Sequence, residues 1–293
     1  MVLDRSAVLL LGVCAGGVIG FNFIAPPGSA EVKVISPSCS QSLAARDDIR
    51  LEVTAAKQCG SAPQRQLLQT LRKNAPVRIA VFGDSFGDGV WWGIQQQLPR
   101  KSYEVLKYSR PAIGFTRYKR LNLETLAAEQ LGDQPVDIAV VSFGANDAQG
   151  IITDDGKHAP LMGERWQAQI GERIDRFVAL LRKHHAMVYW VGLPPMREPG
   201  LEGDVSAINA FYAARMAKLG VPFIDTRPLA SDAKGQYSAY LPDPKTGART
   251  LVREGDGIHM SMTGYLWITR GLSERIKSYV DATKALEPAA DGK

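Results

Sequence analysis

Hydrophobic positions change rhythm repeatedly once the chain passes Val77. Short apolar runs predict strands over 78–82, 103–108, 136–143, 188–193 and 221–224. The run over 136–143 is nearly unbroken, as expected for a strand covered on both faces. Between these runs the period lengthens. Over 166–185, Ile170, Ile174, Phe177, Val178 and Leu181 fall three and four apart and predict an amphipathic helix. Segments 206–219 and 263–280 are patterned similarly, and 63–73 predicts a shorter helix ahead of the first strand. Strands alternating with helices imply an α/β fold, a three-layer α/β/α sandwich with a mainly parallel sheet. In such a sheet, ligands bind beyond the carboxyl ends of the strands. Chemistry is therefore sought just after each strand.

Three segments there carry it. Gly83-Asp84-Ser85-Phe86-Gly87 follows the first strand and precedes a helix. A serine at a helix N-terminus meets outward-pointing N–H groups that favour negative charge. The flanking glycines relieve a tight turn and leave room for a substrate carbonyl. The same G-x-S-x-G pattern describes the nucleophile elbow of α/β-hydrolases, and an ordinary N-cap serine also fits it. Ser142-Phe143-Gly144-Ala145-Asn146-Asp147 ends the most hydrophobic strand. An Asn146 amide at a strand exit can donate to an oxyanion. Asn-Asp is also common turn chemistry, with Asp147 capping the residues after it. Asp256-Gly257-Ile258-His259 places a carboxylate three residues before an imidazole. The carboxylate can accept from the Nδ1–H and leave Nε2 facing outward as a base. Of the other histidines, His184 and His185 end a helix, where cations complement the dipole, and His158 lies in a Gly/Asp/Pro loop.

The motifs GDS, GxND and DxxH, in that order, resemble the SGNH/GDSL hydrolase superfamily over about residues 77–280. Val191-Gly192-Leu193-Pro194-Pro195-Met196-Arg197 and Arg253-Glu254-Gly255-Asp256-Gly257-Ile258-His259 look like an exported bacterial subfamily of poorly assigned function. The resemblance implies a flavodoxin-like SGNH hydrolase fold, with Ser85 as nucleophile, His259 as base and Asp256 as its orienting acid. Asn146, the Ser85 N–H and a glycine of the second block would form the oxyanion hole. Gly114, in Arg110-Pro111-Ala112-Ile113-Gly114-Phe115, is the candidate glycine, although the family's usual Asn-x-Gly context is absent. An α/β-hydrolase fits less well, because its nucleophile usually comes mid-domain and its acid lies well before the histidine.

Composition and the chain ends narrow the setting. The 293 residues are 45% hydrophobic and 22% charged with no low-complexity tract, which is globular composition. A net charge of +5 mildly favours an anionic polymer or surface. No basic stripe with interleaved aromatics appears, so nucleic acid is not an expected partner. Residues 1–30 read as a secretory signal or a membrane anchor, with an apolar run over 7–24 that is near the minimum for spanning a bilayer. Both readings put the remainder in the periplasm or outside the cell. Cys14 lies in that run, where the bulky Val13 before it argues against lipidation. Cys39 and Cys59 belong to an N-terminal extension over 31–76. In an oxidising compartment they can close a loop of about 20 residues, worth about 3 kcal/mol on the chain-entropy model; two free thiols are the alternative. Residues 77–282 are the expected hydrolase domain and 283–293 a flexible tail. Histidine and cysteine spacings suggest no metal or cofactor.

Trp91 and Trp92 follow the nucleophile, where their rings can stack on sugars or simply pack. Export together with a serine esterase site predicts hydrolysis of carboxylic esters. O-acetyl groups on envelope or extracellular polysaccharide and small soluble esters are the expected substrates. The same triad can pass an acyl group to a sugar hydroxyl, so an O-acyltransferase is the nearest alternative. A non-catalytic glycan-binding or assembly protein on the same fold is the second.

Overall fold

The computed structural model describes residues 60–286. The apolar run at 7–24, Cys14, Cys39, Cys59 and residues 287–293 lie outside the described residues. Helix α1 (Ala62–Arg72) opens on a reciprocal cap. The Gln64 N–H donates to the Ser61 hydroxyl (3.4 Å), while Gln64 Oε1 accepts from the Ser61 N–H (2.8 Å). There follow β1 (Val77–Gly83), α2 (Ser85–Gln97), β2 (Tyr103–Lys107), α3 (Leu123–Leu131) and β3 (Ile138–Ser142). A two-stranded hairpin of β4 (Ile151–Ile152) and β5 (His158–Ala159) leads into α4 (Glu164–Lys183) and β6 (Met187–Val191). The chain continues through α5 (Pro199–Leu219), β7 (Phe223–Ile224) and α6 (Arg227–Ala230). A second hairpin, β8 (Tyr240–Pro242) and β9 (Arg249–Leu251), precedes the closing helix α7 (Met262–Lys284).

Five strands form one parallel sheet in the order β2-β1-β3-β6-β7. Alternate residues of its strands feed two separate cores, as the pleat requires. Ala80, Phe82, Ala139, Val141 and Trp190 point into a core closed by α3, α4 and α5. Ile79, Val81, Ile138, Val140 and Val191 point into another, closed by α2 and α7. Leu67 of α1 is fully buried in this second core, so packing begins ahead of residue 77. The sheet is thus covered on both faces, as the apolar runs predict.

Helices α2 and α7 approach closely because two glycines let them. A Cβ on Gly89 would lie 1.9 Å from the Tyr265 Cζ, and one on Gly93 would lie 2.5 Å from the Thr269 Oγ1. The two contacts advance four residues on both helices, so the pair runs in the same direction. That brings the N-terminus of α2, with Ser85, and the segment leading into α7, with His259, to one end of the molecule.

Several boundaries differ from the sequence pattern. Helix α5 starts at Pro199, ahead of residue 206, because the Glu198 carboxylate accepts from the Gly200 and Leu201 N–H groups (2.9 and 2.5 Å). Helix α7 runs to Lys284, beyond both the predicted end at 280 and the start of the expected tail at 283. Helix α3 has no counterpart in the predicted elements, since it buries only Leu123, Ala127 and Leu131 in nine residues.

Candidate active site

Ser85 is the first residue of α2, directly after the carboxyl end of β1. Asp84 caps the helix by accepting from the Phe86 N–H at 2.9 Å, which turns the chain out of the strand and leaves the hydroxyl half-exposed. The Ser85 Oγ lies 2.8 Å from the His259 Nε2. On the other side of the ring, the His259 Nδ1 lies 2.6 Å from the Asp256 Oδ2. With Nδ1 protonated and donating to Asp256, Nε2 accepts the Ser85 proton. The structure thus joins Asp256 to His259, as their spacing implies, and brings Ser85 to the same ring, as the family resemblance implies.

Local backbone chemistry makes the Asp256 side chain face its own neighbours. Gly257 sits at φ +78°, a left-handed turn that folds the chain back. Asp256 Oδ1 then accepts from the Ile258 and His259 N–H groups at 2.8 and 3.0 Å. Partial burial works against the charge, but the His259 ring and these two amides outweigh it and hold the Asp256 pKa down at about 2. The acid is an anion throughout the neutral range.

The second block comes in from β3. Ser142 pairs with Gly83 in the sheet register, so the ends of β1 and β3 are neighbours. A one-turn 3₁₀ helix, Ala145–Asp147, follows and presents Asn146. The Asn146 Nδ2 donates to the Asp84 Oδ2 at 3.1 Å, which anchors the amide to the residue preceding Ser85. Asp84 is itself buried. Burial, opposed by the Phe86 N–H and the Asn146 amide and aided by the Asp147 charge, brings its pKa up to about 6.

Asp147 is not the turn cap that its position in the sequence suggests. It is fully buried and accepts from the Thr116 N–H and hydroxyl (both 2.8 Å) and from the Tyr212 hydroxyl (3.0 Å). Burial raises its pKa too, opposed by the Thr116 donors. Gly114 lies against this carboxylate, where a Cβ would come within 2.4 Å of the Asp147 Oδ1. Glycine is required there by close approach rather than by a special φ. The Gly114 segment is thus tied to the Asn146 segment through Asp147 and Thr116. Phe115, packed edge-on against Phe143 and Phe177, holds it from below.

Residues 78–275 match a family described as a protein of unknown function, DUF459. The chain belongs to the DUF459 family. No curated protein matches it. Among solved structures it is similar to an aryl esterase of M. smegmatis, at 19% identity and TM-score 0.47, covering 69% of this chain and 99% of that one. It is also similar to Est24, a carbohydrate acetylesterase of Sinorhizobium meliloti, at 15% identity and TM-score 0.47, covering 69% and 98%. A GDSL-like lipase of Bacteroides thetaiotaomicron is similar at 14% identity and TM-score 0.43, covering 74% and 97%.

Two arginines of this DUF459 chain hold the histidine loop, and the sequence pattern gave neither a role. Arg253 is buried, and its guanidinium donates to the carbonyls of Pro195 (2.6 Å), Ile258 (3.0 Å) and His259 (3.4 Å). Arg197 donates to the carbonyls of Gly255 (2.9 Å) and Asp256 (3.0 Å). Together they fix the loop from both sides. Only the strings in which they occur, 191–197 and 253–259, carried a signal. Trp91 takes the packing alternative: its Nε1–H donates to the Val105 carbonyl of β2 at 3.0 Å, and the Lys107 ammonium sits over its ring. Trp92 is half-buried against the core beneath α2 and α7. His158 lies exposed on β5, and His184 and His185 close α4.

Proposed function

We propose that this chain is an exported serine esterase that hydrolyses carboxylic esters, with O-acetyl groups on envelope or extracellular polysaccharide as the preferred substrates. The observation that carries the reading is the 2.8 Å approach of the Ser85 Oγ to the His259 Nε2, with Asp256 behind the ring. In this mechanism His259 takes the Ser85 proton as the oxygen attacks the ester carbonyl. The carbonyl oxygen becomes an oxyanion, which the Asn146 amide, the α2 N-terminus and the Gly114 backbone are proposed to stabilise. His259 returns the proton to the leaving alcohol, which departs and leaves an acyl-serine. Water then attacks that ester with His259 again as base, releasing the acid and restoring the hydroxyl. Export is read from the apolar run at 7–24, which reaches the lower limit for crossing or entering a bilayer.

The test is acetate release from a panel of acetylated glycans and aryl esters, run beside Ser85→Ala. Wild-type protein is expected to release acetate and to be labelled by a fluorophosphonate. Ser85→Ala is expected to do neither. Equal labelling of the variant places the nucleophile elsewhere, and transfer of the acyl group to an added glycan in place of acetate release makes the protein an acyltransferase.

A further inference from the structure

The connection between β2 and α3 carries positive charge that its own packing does not use. Arg110, Arg117 and Arg120, with Ile113, Gly114 and Leu121, line a cleft of about 200 Å³. Several arginines elsewhere meet acids, Arg173 with Asp154, Arg176 with Glu124, Arg215 with Asp175 and Arg227 with Glu202, while Arg197 and Arg253 are spent on carbonyls. Among the described residues, none of the three cleft arginines pairs with a carboxylate. Arg117 does have a structural task, since its Nη1 donates to the Ala112 carbonyl at 2.9 Å, and Ala112 sits at φ +59°. A non-glycine residue held in that region shapes the cleft wall at a conformational cost. Among the described residues, Arg110 and Arg120 are exposed, and neither guanidinium has an ion-pair partner.

An unpaired basic surface is common, and its place in the fold is what gives this one meaning. The Arg110 N–H donates to the Gly83 carbonyl at 2.9 Å, two residues before Ser85. At the far end of the same segment the Thr116 N–H and hydroxyl donate to the carboxylate of Asp147, the residue after Asn146. The cleft is therefore strung between the two segments that carry the nucleophile and the amide donor, and Gly114 belongs to both cleft and site. Its volume is below the roughly 300–1,000 Å³ of pockets that enclose a drug-sized ligand. It suits one charged ring-sized group of a longer ligand. Arginine forks match planar oxyanions in a two-pronged geometry that an ammonium cannot provide.

We propose that this cleft binds the carboxylate of a sugar next to the acylated one, so that the substrate is an acidic, uronate-bearing polysaccharide. That the polymer is turned over rests on the esterase reading; that it binds does not. The experiment is calorimetric titration of full-length Ser85→Ala protein with polygalacturonate, with neutral dextran and with polyphosphate, repeated after adding Arg110→Gln and Arg120→Gln. Polygalacturonate is expected to bind, dextran to bind far more weakly, and the double substitution to weaken polygalacturonate at least about tenfold. Affinity should fall as salt rises. Unchanged polygalacturonate binding in a variant with an unchanged melting temperature overturns the proposal. So does indifference between polygalacturonate and dextran, or tighter binding of polyphosphate lost on the same substitutions. Acetate release by the wild type is scored separately. Turnover without polygalacturonate binding removes the acidic-glycan site and keeps the esterase, whereas binding without turnover on any ester does the reverse.

Discussion

Asn146 spends one of its two amide hydrogens on Asp84, and that bond is what gives the other hydrogen a fixed direction. A donor held in advance needs no reorganisation when charge develops on a substrate oxygen. Replacing Asn146 with alanine is therefore expected to lower kcat by about 10²–10³. KM should change little, while the melting temperature should fall modestly, because the buried Asp84 keeps its Phe86 bond on Oδ1 but loses the amide donor on Oδ2. Wild-type kcat in steady-state assays of that variant would remove Asn146 from the mechanism. The residues at 85, 256 and 259 were legible for a physical reason: each sits beside the structural feature that explains it. Ser85 follows a strand and opens a helix, and Asp256 reaches His259 across three residues. The buried acids were not legible. Asp84 meets Asn146 across 62 positions, and Asp147 meets Thr116 across 31 and Tyr212 across 65. Nothing in a local pattern distinguishes such an acid from one that caps a turn, which is how Asp147 reads. Arg253 escaped for a related reason, since an arginine that serves carbonyls leaves no charge partner to look for.

Among the elements, the α2–α7 pair carries the greatest consequence for the site, because one helix begins at Ser85 and the other comes just after His259. Tyr265 is buried against Phe86, with ring centroids 5.3 Å apart, and its ring lies where a Gly89 Cβ would go. Gly89→Ala must push the ring or the whole helix aside. Overpacking of this kind costs about 1–3 kcal/mol. In a domain of this size that amounts to a fall of roughly 2–12 °C in melting temperature. The same displacement should lower kcat by moving His259 away from Ser85. Gly271, on the exposed side of α7, provides the control, since a Cβ there meets nothing within 4 Å. Gly271→Ala is expected to stabilise by about 0.4–1 kcal/mol. Calorimetry on both variants checks the pair, and an unchanged or raised melting temperature for Gly89→Ala contradicts the packing argument. Element identity itself was readable wherever a face is long and continuous, as in α4 and β3. It failed for α3, which buries one residue per turn. It failed also for the two hairpins, whose strands of two or three residues are too short to display a period.

Across the whole molecule, the two cores on either face of the sheet meet a third, polar layer at the carboxyl ends of the strands. Asp84 enters it from the α2 side, while Tyr212 of α5 and Thr116 enter from the other, joined through Asp147. Burying two acids near each other makes stability depend on pH in a defined direction. The pKa of Asp84 is about 6 in the folded chain, above its ordinary unfolded value near 4. Between those values the folded state holds a proton that the unfolded state has lost, so stability falls as pH rises from about 4 to about 6. Above pH 6 both states are ionised and the full burial penalty applies. Asp147 pushes in the same direction, since burial raises its pKa as well. Asp256 works oppositely: its pKa of about 2 contributes stability above its unfolded value, lost as pH falls towards 2. Stability is therefore expected to climb as pH drops from 7.5 to 5 and to decline again below about 4. Asp84→Asn removes one of three buried acids behind the climb, since burial raises the Asp137 pKa as well; it keeps the shape of the side chain and replaces an acceptor of the Asn146 amide with a group that can also donate. Melting curves of that variant at pH 7.5 and 5 should show a smaller gain on acidification than the wild type shows. An equal gain would mean that Asp84 titrates as an ordinary surface carboxylate, which its burial and its two hydrogen-bonded oxygens both argue against.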